Sequence, residues 1–572
     1  MKRSSVSLAA LLAVPLALAT AGCQGTIGGT GDPTDPGNTN TPPGGTKPGT
    51  TPGKPGSSTT PADPNAAGLM PVTRLNRREY NNTIRDLLGD TSNPADDFAD
   101  DHDGDFLFRR AGLVGSQDAS VLRDAAEAVA GNAVKNNFAQ LVTCDTSAAN
   151  EQTCIRSFIQ TFGLRAFRRP VSMAESDRLM ALYQAGRTTL MLPVQSAVSL
   201  MLEGILQSPE FLYHWELGPN KPTMEGSVVK LGQYETASRL SYFLWGTMPD
   251  QALFDAAAMG KLTAQADVQA QAQRMLADTK ARATVTAFVQ EWLNLDQVAD
   301  RPKDPMVYPE FKDDLKAAMG AETDAFVSNV VFDGDSLLKT LLTATYSFVS
   351  KPEATVYNVT ATAATPTRTT LDSQQRAGLL TQLGFLTLTG ATDGSNPVKR
   401  GRRVYERLLC GVLPPPPANV PPAKPASAGG TTRDRFKEHD SNTCAMGCHN
   451  IMDPIGFGFE HYDGIGRYRT MDNGLPVDAT GSIDLDGAKK TFNDATEMMQ
   501  LLAASQDARN CFATQWSRFA LKRDDTEADR ASIEGAIAAF GKGGNVIRDL
   551  LVGVTGARSF RYRSVAAGEI TQ

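Results

Sequence analysis

The sequence predicts a mainly α protein, a multi-module helical array with an irregular, glycine-rich module ahead of its last helices. Three observations predict it. After Leu69, apolar side chains recur at helical spacing and no long alternating run appears. Capping signatures stand in front of several of these runs. Gly456, Gly458, Gly464 and Gly466 crowd into one short stretch, where turns call for them. A chain of 572 residues with a 41% apolar share has room for several packed cores. Its formal charge of -7, from 56 basic and 63 acidic side chains spread along the chain, leaves no basic stripe, so no nucleic-acid partner is expected.

Residues 1–22 read as an export signal: Lys2 and Arg3, an apolar run from Val6 to Leu18, then Ala21 and Gly22 before Cys23. That ending resembles a bacterial lipoprotein signal, with Cys23 as the lipidated first mature residue, although Thr20 stands where such signals usually carry Leu. Ordinary secretion with cleavage nearby is the alternative. Residues 23–66 form a Pro/Gly/Thr linker that cannot bury a core. As a flexible coil it would span roughly 40 Å, and at most about 130 Å as polyproline II. The expectation is a membrane partner through the lipid anchor, on the periplasmic or outer-membrane face of the envelope.

The folded part divides into helical modules over 67–140, 141–215 and 216–350, a cysteine–histidine module over 370–470 and a C-terminal helical module over 471–572. Asn76 and Glu79 form a capping box, Tyr80, Ile84, Leu87 and Leu88 share one face, and Gly89 stops the first helix. The acidic stretch over 96–106 lacks EF-hand spacing, so His102 reads as a surface side chain in a solvated loop. Cys144 and Cys154 are expected to pair in an oxidising compartment. Ser172 and Glu175 cap the next helix, with Leu179, Met180, Leu182 and Tyr183 on its apolar side. The helical reading continues over 195–216, where His214 reads as a packed or surface residue, and over 231–250, 268–295 and 311–342. No nucleophile motif, phosphate loop or zinc-protease pair appears in the last two stretches. The proline run over 414–425 must be extended and marks a hinge or strap, and the tail from Asn493 returns to helix with short β segments nearby.

Chemistry concentrates in residues 439–470, HDSNTCAMGCHNIMDPIGFGFEHYDGIGRYRT, which hold two of the seven cysteines and three of the five histidines. Cys444, Cys448 and His449 form C-x3-C-H, one residue longer than the pattern that attaches haem through two thioethers and a histidine. Cys410 and Cys511 flank this module, and a bridge between them would clamp it onto the C-terminal helices.

Segments along the chain resemble a known set of exported bacterial proteins of undetermined activity, built from domain-of-unknown-function modules 1587, 1595, 1592, 1588 and 1585. The resemblance is carried by LNRREYNNTIRDLLG, AFRRPVSMAE, LQSPEFLYHWE, ASRLSYFLWGTMPD, QRAGLLTQLGFL, NPVKRGRR, the proline run and the cysteine–histidine segment. It covers almost everything after residue 70, in the family's order. It implies a multi-module envelope protein with a cytochrome-c-like module and implies no established reaction. The family usually writes C-x-x-C-H, and Ala445, Met446 and Gly447 make the spacer one longer here.

Three readings of the site stay open. A c-type haem would bind Cys444, Cys448 and His449, with Phe457, Phe459 and Tyr462 as walls and Arg467 or Arg469 on a propionate. The sixth ligand would come from His439, Met471, Met498 or Met499. Alternatively Cys444 and Cys448 form a disulfide, or join His439 and His449 around zinc. The leading expectation is electron transfer or redox sensing with a redox partner. The other is a disulfide-stapled scaffold holding a cell-surface ligand through its helical half.

Overall fold

The computed structural model describes residues 61–102, 106–216, 224–225, 227–413, 429–437 and 446–565, all within the unit Pro52–Gln572. The export signal, Cys23, most of the linker, the proline run, His439 and Cys444 lie outside these described residues.

Local sequence sets many helix ends. Asn76 accepts the Glu79 N–H and the Glu79 carboxylate accepts the Asn76 N–H, starting the helix Arg77–Leu88, which Gly89 ends at φ 74°. Ser172 and Glu175 do the same for Met173–Thr188. The helix expected over 195–216 breaks instead into Val194–Leu206 and the one-turn Pro209–Leu212. Tertiary pairing overrides its helical pattern: Tyr213 bridges Arg74, and the His214 N–H donates to Thr73 O at 2.9 Å. The stretch 268–295 divides into Gln265–Leu276 and Lys280–Leu293, and 311–342 is interrupted by a π turn at Asn329–Asp333.

The protein is mainly helical with a few small sheets. The hairpins Met471–Asp472 with Leu475–Pro476 and Gly481–Leu485 with Ala488–Phe492 supply short β structure before the last helices. Two further sheets go beyond the sequence expectation. Tyr346–Val349 pairs with Thr367–Thr370, and Val228–Lys230 lies between Met224–Glu225 and Tyr562–Ser564.

The helix Gln506–Leu521 sits at the middle of the main core. Trp516 stacks on Phe288 with centroids 3.6 Å apart, Phe512 meets Trp292 at 5.4 Å, and Phe519 meets Phe108 at 5.2 Å. One apolar core therefore draws on residues from Phe106 to Phe560, and a second holds the helices between Leu75 and Leu212. A buried polar cluster joins three distant stretches of the chain. Lys522 Nζ reaches Glu79 Oε1 and lies 2.7 Å from His214 Nε2, which is 3.1 Å from Glu79 Oε2. Burial pushes the Glu79 carboxyl up, but Lys522 and His214 outweigh it and hold the group well below the ordinary carboxylate range. Burial, with Lys522, pushes His214 down.

Two disulfides lock loops, Cys144–Cys154 and Cys410–Cys511. The second ties the end of the helix Pro397–Leu408 to the central Gln506–Leu521. Among the described residues no helix is long and apolar enough to cross a membrane.

Candidate functional site

Cys448 and His449 lie in the first turns of the helix Met446–Phe457, which packs lengthwise on Pro397–Leu408. Two glycines allow that approach. A Cβ at Gly401 would overlap the Met452 carbonyl oxygen, and one at Gly456 would overlap the Pro397 carbonyl oxygen, so the helix backbones touch directly.

Arg400, on the same supporting helix, is fully buried. Its guanidinium donates to the carbonyls of Phe459 at 2.9 Å, Tyr462 at 2.8 Å and Asp463 at 2.6 Å, pinning the loop that follows the site helix. Burial pushes Arg400 down to about 10, which leaves it charged at neutral pH. Beside it, the buried Glu460 takes Arg469 at 3.0 Å and the Ser395 hydroxyl at 2.8 Å.

His449 Nδ1 sits 2.9 and 3.1 Å from the two carboxylate oxygens of Asp453, one turn along the helix, and both residues are buried. A carboxylate only accepts, so Nδ1 carries the proton in this contact. This is the arrangement in which a carboxylate orients a metal-binding histidine. Cys448 is half-buried and forms no disulfide among the described residues. Ile451 and Ile455, at i+3 and i+7 from Cys448, line a cavity of about 320 Å³ together with Tyr405, Leu409, Cys410 and Ile483.

Cys444 and His439 lie outside the described residues. Met471 is half-exposed in its hairpin. Met498 and Met499 are fully buried, and Met498 packs at Gly458, beyond the far end of the site helix. That is about 12 Å or more along the axis from His449, so Met498 does not meet it here. The expected walls and propionate partners are placed differently. Phe459 and Tyr462 belong to the main core, and Phe457 is covered by the Arg433 guanidinium at 4.2 Å. Arg467 pairs with Glu310 and Asp463, and Arg469 with Glu460 and Asp472. Arg469 is engaged by the buried carboxylates of Glu460 and Asp472 in the same loop, and Arg467 by Asp463 and the half-buried Glu310 far upstream. Among the described residues no cluster of three His, Cys, Asp or Glu side chains is set to hold a metal.

Sequence reasoning passed over Asp453 and Arg400. Asp453 had a readable signal, since H-x3-D within a helix puts both side chains on one face. Arg400 had none, because its partners are backbone carbonyls about sixty residues away.

Family models, each described as a protein of unknown function, match the chain in sequence order. They are DUF1587 over 73–135, DUF1595 over 154–216, DUF1592 over 231–359, DUF1588 over 376–472 and DUF1585 over 488–560. The chain belongs to this DUF1587–DUF1585 family. Within the family the site helix falls in DUF1588, whose label, PSCyt3, names the module as cytochrome-like. The Glu79, His214 and Lys522 cluster joins DUF1587, DUF1595 and DUF1585. No curated protein and no solved structure matches the chain. Its two disulfides are those of a protein that folds outside the reducing cytoplasm.

Proposed function

We propose that this family member is an envelope-anchored redox protein in which Cys444, Cys448 and His449 hold a c-type haem, with electron transfer or redox sensing as its task. The observation that carries the reading is the buried hydrogen bond from His449 Nδ1 to Asp453, in which a carboxylate orients the imidazole as it does in metal-binding histidines. The half-buried Cys448, the adjacent residue, fits the same chemistry. Bound haem supplies a one-electron couple. The chain's own residues do the positioning: Asp453 fixes the imidazole, the Gly401 and Gly456 contacts hold the helix, and Arg400 braces the loop behind it. In this reading Cys23 carries the lipid and residues 24–66 tether the folded part to the membrane, within reach of a redox partner.

The test is a reduced pyridine haemochrome spectrum with peptide mass mapping, on protein made in a host that assembles c-type haem. The expected result is a haem mass on the peptide spanning Cys444 to His449. Protein without haem, with Cys444 and Cys448 bonded to each other, would overturn it in favour of a disulfide-stapled surface scaffold. A lipid mass on Cys23 checks the anchor separately.

A further inference from the structure

Two carboxyl groups meet in the buried interior of the DUF1592 module, well apart from the cysteine–histidine helix. Glu322 comes from the helix Asp313–Ser328 and Glu353 from the first turn of Lys351–Tyr357. Both are completely buried.

Their donors are unevenly shared. Glu322 Oε1 receives the hydroxyls of Ser347 and Tyr357, each at 2.5 Å. Glu353 Oε2 receives the N–H and hydroxyl of Ser350 at 2.8 and 2.7 Å. Among the described residues no N–H or O–H reaches the other two oxygens, Glu322 Oε2 and Glu353 Oε1, and the two carboxyls stand within hydrogen-bonding reach of each other. The groups around them do not supply a cation. Arg376 is the nearby positive charge, but it lies over the Tyr357 ring at 4.7 Å and donates to the carbonyls of Thr381 and Gly466. From the remaining side Gln382 donates to Ser347 Oγ and accepts from Thr323 Oγ1, and both are neutral. Tyr357 keeps its own proton for Glu322 and accepts the Leu383 N–H at 3.2 Å.

Two carboxylates in contact, buried, with no cation, would leave two acceptor oxygens facing each other without a hydrogen between them. We propose that Glu322 and Glu353 form a proton-binding site, taking up one proton from solvent on folding so that one carboxylic acid donates to the other's carboxylate. This O–H···O bond latches the helix Lys351–Tyr357 and the strand Tyr346–Val349 onto Asp313–Ser328. Burial, and for Glu322 the neighbouring Glu353 charge, raises both carboxyls above their ordinary range. A raised folded value gives stabilisation that is full in acid and is lost as pH rises through the pair's own titration.

The test is chemical unfolding of the full chain from about pH 5 to about pH 10, comparing wild type with Glu322→Gln and Glu353→Gln. Each amide supplies a permanent N–H where the shared proton stood. In the wild type the folded-to-unfolded ratio should fall by about tenfold per pH unit, relative to either variant, from the unfolded carboxyl value of about 4.3 up to the pair's own titration, and run parallel to the variants above it. Parallel profiles across the range would overturn the proposal. Infrared spectroscopy gives a second readout that does not need the variants to fold. A protonated-carboxyl C=O band at neutral pH that persists after hydrogen exchange into deuterated buffer supports the shared proton, and its absence from the folded wild type refutes it.

Discussion

The two disulfides close loops of very different size, and their energetic effects should differ accordingly. Cys410–Cys511 spans 101 residues and Cys144–Cys154 spans 10. Loop-closure entropy in the unfolded chain then assigns about 4.7 kcal/mol to the long bridge and about 2.7 kcal/mol to the short one. The difference of about 2 kcal/mol corresponds to roughly 30-fold in the folded-to-unfolded ratio. The perturbation that isolates it is reduction in two backgrounds. Of the two bridges among the described residues, Cys144→Ala with Cys154→Ala leaves the long one to reduce, and Cys410→Ala with Cys511→Ala leaves the short one. Comparing oxidised with reduced protein inside each background changes the crosslink and no packed atoms. The assay is urea unfolding followed by circular dichroism. Reduction should lower stability more in the first background, by about 2 kcal/mol. Equal losses, or a larger loss for the short bridge, would refute the reasoning and put the energy in local folded-state contacts instead.

Other perturbations address the site and the cluster around Glu79. Gly401→Ala should destabilise by about 1 to 3 kcal/mol in thermal or chemical unfolding, since its Cβ meets the Met452 carbonyl and the gain in helix propensity only partly offsets the overlap. Glu79→Gln should cost most at neutral pH. The folded carboxyl is held low, so its stabilisation is full above the unfolded value of about 4.3 and is lost as pH falls, and the deficit of the variant should shrink in acid. A deficit that grows in acid would contradict that sign. In haem-loaded protein, Asp453→Asn should weaken the His449 bond to iron, seen as displacement by about 10- to 100-fold less added imidazole.

Much of the helical skeleton was legible because its signals are local. The Asn76–Glu79 and Ser172–Glu175 boxes act within one turn, and a reader of the sequence holds both partners at once. What escaped depends on partners far along the chain. Val228–Lys230 and Tyr562–Ser564 pair although neither run carries enough alternation to announce a strand. The strand Tyr346–Val349 was equally silent, since four residues are too few for a period. At the site the sequence pointed to His449 and its neighbourhood, yet Arg467 and Arg469 were read as spare charges. Their partners Glu310, Glu460 and Asp472 become apparent only when the loop has folded. Glu322 and Glu353, separated by a π turn, the short helix Leu338–Thr343 and a strand, looked like two ordinary acids among many.

The central position of the helix Gln506–Leu521 has a consequence for how the molecule is made. A chain that emerges amino end first exposes Phe108, Phe288 and Trp292 long before Phe512, Trp516 and Phe519 exist to cover them. The main core cannot close while synthesis or transit is under way, whereas the second core, whose residues end at Met248, needs nothing from that helix. Closure of the main core thus waits for the helix that carries Cys511, and on the oxidising side the Cys410–Cys511 bond can seal it.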